Sequence, residues 1–306
     1  MFRRSGYLVI VLSMALAACG GGSGDTTITT AADATTTAAP ETTTSAPPET
    51  TTTAAEVCST ESEALYAPGR LTIATGEPVF PPWMIDDDPT NGEGFESAVA
   101  YALAEQLGFS DDQVDWVRTT FDEAIAPGER PYDFNMQQYS ITEDREEIVD
   151  FSIPYYFSQK SVVALNDSPA VGAQTFADLE GVRWGATIGT TDLDYIEQVL
   201  GVTDAAVYDD QADTFAALQA GQIDATVIGL PTAYFVTAVQ VENSTIVGVL
   251  PRQGDEADGM GLLFTDGNPY VDCVNEALQT LHDNGTILAL DEEWLQGAGD
   301  IPEITE

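Results

Sequence analysis

Basic side chains are scarce in this 306-residue chain: nine Lys and Arg stand against 51 Asp and Glu, giving a formal net charge of −42, and Lys160 is the only lysine. A field of that sign repels a polyanionic partner, which excludes nucleic-acid binding. The acidic surface itself fits solubility in a salty or acidic medium better than it names a cationic ligand. There is one histidine, His282, and there are three cysteines. With no Gly-rich phosphate loop and no metal-ligand spacing, the familiar catalytic sets are missing, so neither a cofactor nor a metal is expected. His282 falls in an amphipathic helical pattern and reads as an ordinary surface residue. Beyond the N-terminus no apolar run is long enough to span a bilayer.

What is present begins with Met1-Phe2-Arg3-Arg4 and the apolar run from Tyr7 to Ala18. A basic start and a short apolar stretch make a secretory signal over residues 1–18, too short for a spanning helix. The run ends Leu16-Ala17-Ala18-Cys19-Gly20, which resembles a bacterial lipobox. Small residues suit the signal peptidase, and the Cys19 thiol would accept a diacylglyceryl group. Residues 19–56 then form a tether rich in Thr, Ala, Pro and Ser, with too few large apolar groups to offset the entropy of ordering. As an extended coil it would reach up to roughly 100 Å from the lipid. Cys58 and Cys273 remain as an even pair in an oxidising compartment, and a disulfide between them is the natural reading against two free thiols.

From residue 57 to 306 strand-like and helix-like patterns alternate. Leu71-Thr72-Ile73-Ala74 reads as a strand, and Phe95, Val99, Leu103 and Leu107 mark one face of a helix that stops at Gly108. A second start follows Gly181: Val182 to Ala186 is strand-like, Ile188-Gly189-Thr190-Thr191 is a tight turn, and Asp194 to Leu200 is helix-like. Thr214 to Ala220 reads as a helix, Ile223 to Ile228 as a buried strand, and Tyr270 to Asp283 as an amphipathic helix. Two α/β units predict two lobes.

An ordered set of short motifs adds to this: Phe80-Pro81-Pro82-Trp83, Gly94-Phe95-Glu96, Ser140-Ile141-Thr142-Glu143-Asp144-Arg145, and Asp150-Phe151-Ser152-Ile153-Pro154-Tyr155-Tyr156. Asp178-Leu179-Glu180-Gly181, Gly189-Thr190-Thr191 and the run from Ala217 to Ala225 follow. Together they resemble the family 3 extracellular solute-binding proteins, over nearly all of the chain from Leu71 to Leu295. The resemblance implies a type II periplasmic-binding-protein-like α/β fold: two lobes, two hinge crossovers, and a ligand between them. Lobe one would comprise residues 57–162 and 256–306 and lobe two residues 163–255, with crossings near Ser161 to Leu165 and Glu256 to Gly261.

Arg145 is the first candidate site residue, because a planar guanidinium matches a carboxylate in bidentate geometry. On the residues alone the favoured reading is a surface arginine paired with Glu143, Asp144, Glu146 or Glu147. The resemblance assigns it the ligand's α-carboxylate. Thr191 would join it from across the cleft, although Gly189-Thr190-Thr191 also suits helix capping together with Asp192. Phe80, Trp83 and Phe121 match positions where the family places aromatic rings, with Ser140 and Gln138 as polar contacts beneath them. Glu77 matches a place where an acid meets a cationic ligand tail in some members. At Gly229, where amino-acid-binding members usually carry an aspartate for the α-ammonium, the partner is missing, so Asp192, Glu77 or another acid takes that role or the ligand lacks the ammonium. Asp224 reads as structural.

The function implied is the solute-binding component of an ABC importer. It would be a monomer held to the outer face of the membrane by its lipid, capturing an amino acid or related small carboxylate for a membrane permease. Two other readings are a ligand-binding sensory lipoprotein and an enzyme like cyclohexadienyl dehydratase on the same fold, for which Glu77 is the one candidate general acid.

Overall fold

Leu71–Thr75 is buried at all five positions, as expected of a strand covered on both faces. It is β1 in the computed structural model, which describes residues 54–253, 259–295, 297 and 300–306. The signal segment, Cys19 and nearly all of the tether lie outside the described residues. Then come β2 (Val114–Arg118), β3 (Phe134–Asn135) and β4 (Val149–Phe151), followed by β5 (Tyr156–Phe157). The second lobe holds β6 (Lys160–Leu165), β7 (Gly185–Thr187), β8 (Ala206–Tyr208), β9 (Ala225–Gly229) and β10 (Ser244–Val249). The chain returns through β11 (Gly259–Met260) and β12 (Leu263–Thr265).

Lobe one is a five-stranded sheet in the order β2-β1-β3-β12-β4. Its apolar face packs on the helices Phe95–Gln106, Tyr270–Asp283 and Thr286–Trp294 in a core that includes Phe95, Leu103, Phe134, Phe264, Val274 and Leu278. The first of these helices starts where the backbone of Gly94 has φ +92°, and a Cβ there would come within 2.6 Å of the Trp83 carbonyl oxygen. Only glycine lets the helix begin that close to the Phe80–Trp83 turn. Cys58 is joined to Cys273 on the helix Tyr270–Asp283, closing a loop of 215 residues.

Lobe two is built around β6, flanked by β10 and β9 in antiparallel pairing. A bridge from Trp184 to Ala225 brings the parallel pair β7-β8 alongside β9. Val162 and Ala164 of β6 face one cluster with Trp184 and Leu250, while Val163 faces another with Phe215 and Leu218. A strand buried on both faces reads as a continuous apolar run, which is why Ser161 to Leu165 is easily taken for a crossing segment.

Strand pairing bears on the expected lobe boundaries in two places. β5 and β11 pair as a separate ladder, with Tyr156 opposite Met260 and Phe157 opposite Gly259; β11 lies within the return crossing expected near Glu256 to Gly261, whereas β5 precedes the outgoing one expected at Ser161 to Leu165. All of β6 is paired within lobe two, so a boundary at residue 162 cuts through it. The C-terminal residues also do not belong wholly to lobe one: Glu303 bridges Val249, Thr305 bridges Thr175, and Ile304 is fully buried in the lobe-two core. Apolar burial of Ile304 and the free edge at Val249 draw the tail back across. His282 also differs from its expected role, since it is half-buried and its Nε2 lies 3.0 Å from the Pro154 carbonyl oxygen. Asp224 pairs with Arg183 at 2.6 Å at the start of β9, a structural tie.

Candidate functional site

The C-terminal ends of β1, β2 and β3 and the turns after β7 and β8 face one another across a cavity of about 470 Å³. Glu77, Phe80, Trp83, Phe121, Gln138, Ser140, Arg145, Thr191 and Asp192 all line it. The lobes touch across it. Ser140 Oγ and Thr191 Oγ1 are 3.1 Å apart, and Trp83 Nε1 donates to Thr232 Oγ1 at 2.8 Å.

Arg145 sits in a one-turn helix, Glu143–Glu146, capped by the Thr142 hydroxyl. Only 8% of the residue is exposed. Nη1 donates to the Ser140 carbonyl at 2.6 Å and Nη2 to the Gly189 carbonyl at 2.9 Å, so one side chain touches both lobes. Its guanidinium lies 5.6 Å from the centre of the Phe121 ring, which stacks on Tyr139 at 4.6 Å. Burial pulls the Arg145 pKa below its ordinary value, while its electrostatic interactions with Tyr139, Asp194 and Asp192 act the other way. A guanidinium remains a cation under these conditions and has N–H groups left over for a ligand.

The remaining predicted residues divide by what they touch. Thr190 caps the helix Thr191–Asp194 by accepting from the Leu193 amide, which leaves the Thr191 hydroxyl turned to the cleft. Phe80 packs edge-on against Phe215 at 5.6 Å and near Phe235 at 6.4 Å, so this lobe-one ring sits on the lobe-two core. Trp83 is 2% exposed, packs edge-on against Phe95 and Tyr156 in the lobe-one core, and also donates across the cleft to Thr232. Gln138, at φ +51°, gives its amide N–H to Glu96 Oε1 at 2.9 Å and its side-chain amide to Glu96 Oε2. Its donors thus serve the buried acid. Burial raises the Glu96 pKa to about 7, against the hydrogen bonds from Tyr155 and Gln138. Glu77 is exposed on the cavity wall.

Sequence reasoning missed Lys160. Its Nζ donates to Thr191 Oγ1 at 2.8 Å and to Asp192 Oδ1 at 2.6 Å, so Asp192 already holds an ammonium supplied by the protein. The available signal was its being the only lysine, at the head of an apolar strand. Thr232, Ser158 and Met260 also line the cavity and carried no sequence signal.

Two α/β lobes on short crossing strands, with a buried cation shared between them, define a ligand clamp. The match to bacterial extracellular solute-binding proteins, family 3, runs over residues 71–297, and the chain belongs to that family. It is 28% identical over 229 residues to the L-cystine-binding protein TcyJ of Escherichia coli (strain K12), covering 74% of this chain and 83% of that one. It is also 28% identical over 207 residues to ABC transporter arginine-binding protein 1 of the same organism, covering 66% and 81%. Among solved structures, an ancestral arginine-binding protein bound to arginine matches with a TM-score of 0.62 at 26% identity, covering 74% of this chain and 99% of that one. The ancestral amino acid-binding protein AncCDT-1, a precursor of cyclohexadienyl dehydratase, matches with a TM-score of 0.61 at 27% identity, covering 74% and 96%. The fold is therefore that of the type II periplasmic binding proteins, as the motif order implied.

Proposed function

We propose that this protein is the extracytoplasmic solute-binding component of an ABC importer, a monomer anchored through Cys19, whose lobes close on an amino acid or related small carboxylate. The observation that carries the reading is Arg145, buried in the cleft and bonded to a carbonyl of each lobe. A carboxylate entering the cavity accepts the remaining guanidinium N–H groups in charge-assisted bonds. Contacts to both lobes favour the closed state, the shape a permease recognises. Phe121 backs the guanidinium, and Thr191 and Ser140 offer hydroxyls on opposite sides of the cleft. Relatives that bind cystine and arginine support an amino-acid-sized ligand.

Binding without turnover fits the site better than catalysis. Glu77, the candidate general acid, is exposed, whereas a carboxylic acid kept protonated for catalysis needs a desolvated place. A thermal-shift screen of the purified protein against amino acids, polyamines, keto acids and cyclic carboxylates tests the reading, because a selective ligand raises apparent stability by mass action. A carboxylate-bearing solute should raise the melting temperature, and Arg145→Ala should remove that rise. Stabilisation only by solutes without a carboxylate would overturn the role of Arg145. Copurification of a permease and ATPase supports import, and copurification of a receptor kinase would replace it with sensing.

A further inference from the structure

Lys160 plays no part in the function proposed above, yet it lies inside the same cavity. It opens β6 opposite Gly229 on β9. Directly opposed residues on antiparallel strands share a face, and position 229 contributes no side chain to it. A Cβ at 229 would stand 2.8 Å from Ser158 Oγ, so that place is closed to a larger residue without a shift of the serine. The lysine stem therefore runs along the floor of the cleft to Thr191 and Asp192. The ion pair is well sheltered, with the two side chains 13% and 21% exposed. Arg145 bears on the same short segment through Gly189, which sets two cations on residues 189–192.

An ammonium group has three donors, and two of Lys160's are committed, to Thr191 and Asp192. The third is available to a ligand atom, and that atom must be an acceptor. A carboxylate held on Arg145 carries its α substituent into this neighbourhood. An α-ammonium would meet a like charge, and Asp192 beside it is already neutralised. An α-hydroxyl or α-oxo oxygen would instead accept the third hydrogen.

Resting on the solute-binding reading above, we propose that Lys160 is a tethered stand-in for the ligand's ammonium, so that the site prefers carboxylates with an oxygen on the α carbon to α-amino acids. The carboxylate sits on Arg145 and the α oxygen on Lys160. Specificity at the α position is then set by the protein's own cation, a device that both attracts the oxygen and repels the amine.

The test is calorimetric titration of the purified protein with matched solutes that differ only at the α position. The panel comprises L-arginine against L-argininic acid, L-glutamate against L-2-hydroxyglutarate and 2-oxoglutarate, and L-phenylalanine against L-phenyllactate and phenylpyruvate. For whichever side chain binds, the wild type should take the oxygen form at least about tenfold more tightly, the scale of a charge-assisted hydrogen bond. Lys160→Met, which frees Asp192, should narrow or reverse that ratio. A lysine with a merely structural role would weaken both members of a pair equally, and that result overturns the proposal. The wild-type preference stands as a test even if the variant fails to fold. If the wild type prefers the amino acids and Arg145→Ala abolishes their binding, the solute-binding reading survives and the role of Lys160 falls. If no carboxylate binds, in this panel or in the thermal screen, both fall.

Discussion

The two lobes are secured in different ways. Lobe one has a five-stranded sheet, three covering helices and a disulfide that joins its first residues to its longest helix. Lobe two has a sheet centred on β6, and part of its core comes from Ile304, two residues before the last residue of the sequence. One lobe is tied covalently within itself, whereas the other depends on a segment that arrives after lobe one is complete. Stability in lobe two is thus coupled to a return crossing in addition to β5 and β11. Hinge motion has to strain or accommodate that crossing.

The disulfide gives the largest expected effect on this contrast. Replacing Cys58 and Cys273 by serine should cost about 2–5 kcal/mol, since a long loop loses its cross-link, and the loss should fall on lobe one. Denaturant unfolding followed by hydrogen exchange on both lobes would check it, and equal loss in the two lobes would break the comparison. Ile304→Ala should cost about 2–4 kcal/mol, as a fully buried aliphatic side chain is removed, and here lobe two should lose protection first.

A pH effect of up to about 4 kcal/mol between pH 5 and pH 8 belongs to lobe one. Glu96 titrates at about 7 in the fold against an ordinary 4.5, and Asp133 at about 6 against 3.8, burial being the main cause for each. Both acids hold their protons more tightly folded than unfolded, so their contribution is complete below about pH 4 and is lost as pH rises through 6 to 7. Melting temperature should fall from pH 5 to pH 8, and Glu96→Gln should flatten much of that fall. The smallest effect concerns the contact between lobes. Thr232→Val removes the oxygen that accepts the Trp83 indole N–H with little change in side-chain volume, and should cost about 1 kcal/mol of the closed state, read as an affinity several-fold weaker.

Much of this is legible in the sequence where a pattern is local. The helix Tyr270–Asp283 has the limits its amphipathic spacing predicts, because Tyr270, Val274, Leu278 and Leu281 repeat on one buried face. The strand expected from Val182 to Ala186 begins only at Gly185, since Val182 and Trp184 already pack in the core before a regular ladder forms. The crossing strands β5 and β11 have two residues each, too short for any periodicity to mark. The C-terminal crossing escapes because its partners, Val249 and Thr175, are far away in sequence. Nine predicted site residues line one cavity because their motifs end strands or open helices that point at it. Lys160 stayed hidden because a single charged residue at the start of an apolar strand usually marks only a solvated end.

The central claim is that the lobes meet on a carboxylate held by Arg145. Titration of wild-type protein and Arg145→Ala with the most stabilising carboxylate from the thermal screen tests it most directly. The account predicts single-site binding by the wild type and a loss of at least about a hundredfold in the variant, the scale expected when a buried charge loses its partner, with the far-UV circular dichroism unchanged. A folded Arg145→Ala protein that binds the same solute with undiminished affinity would contradict it.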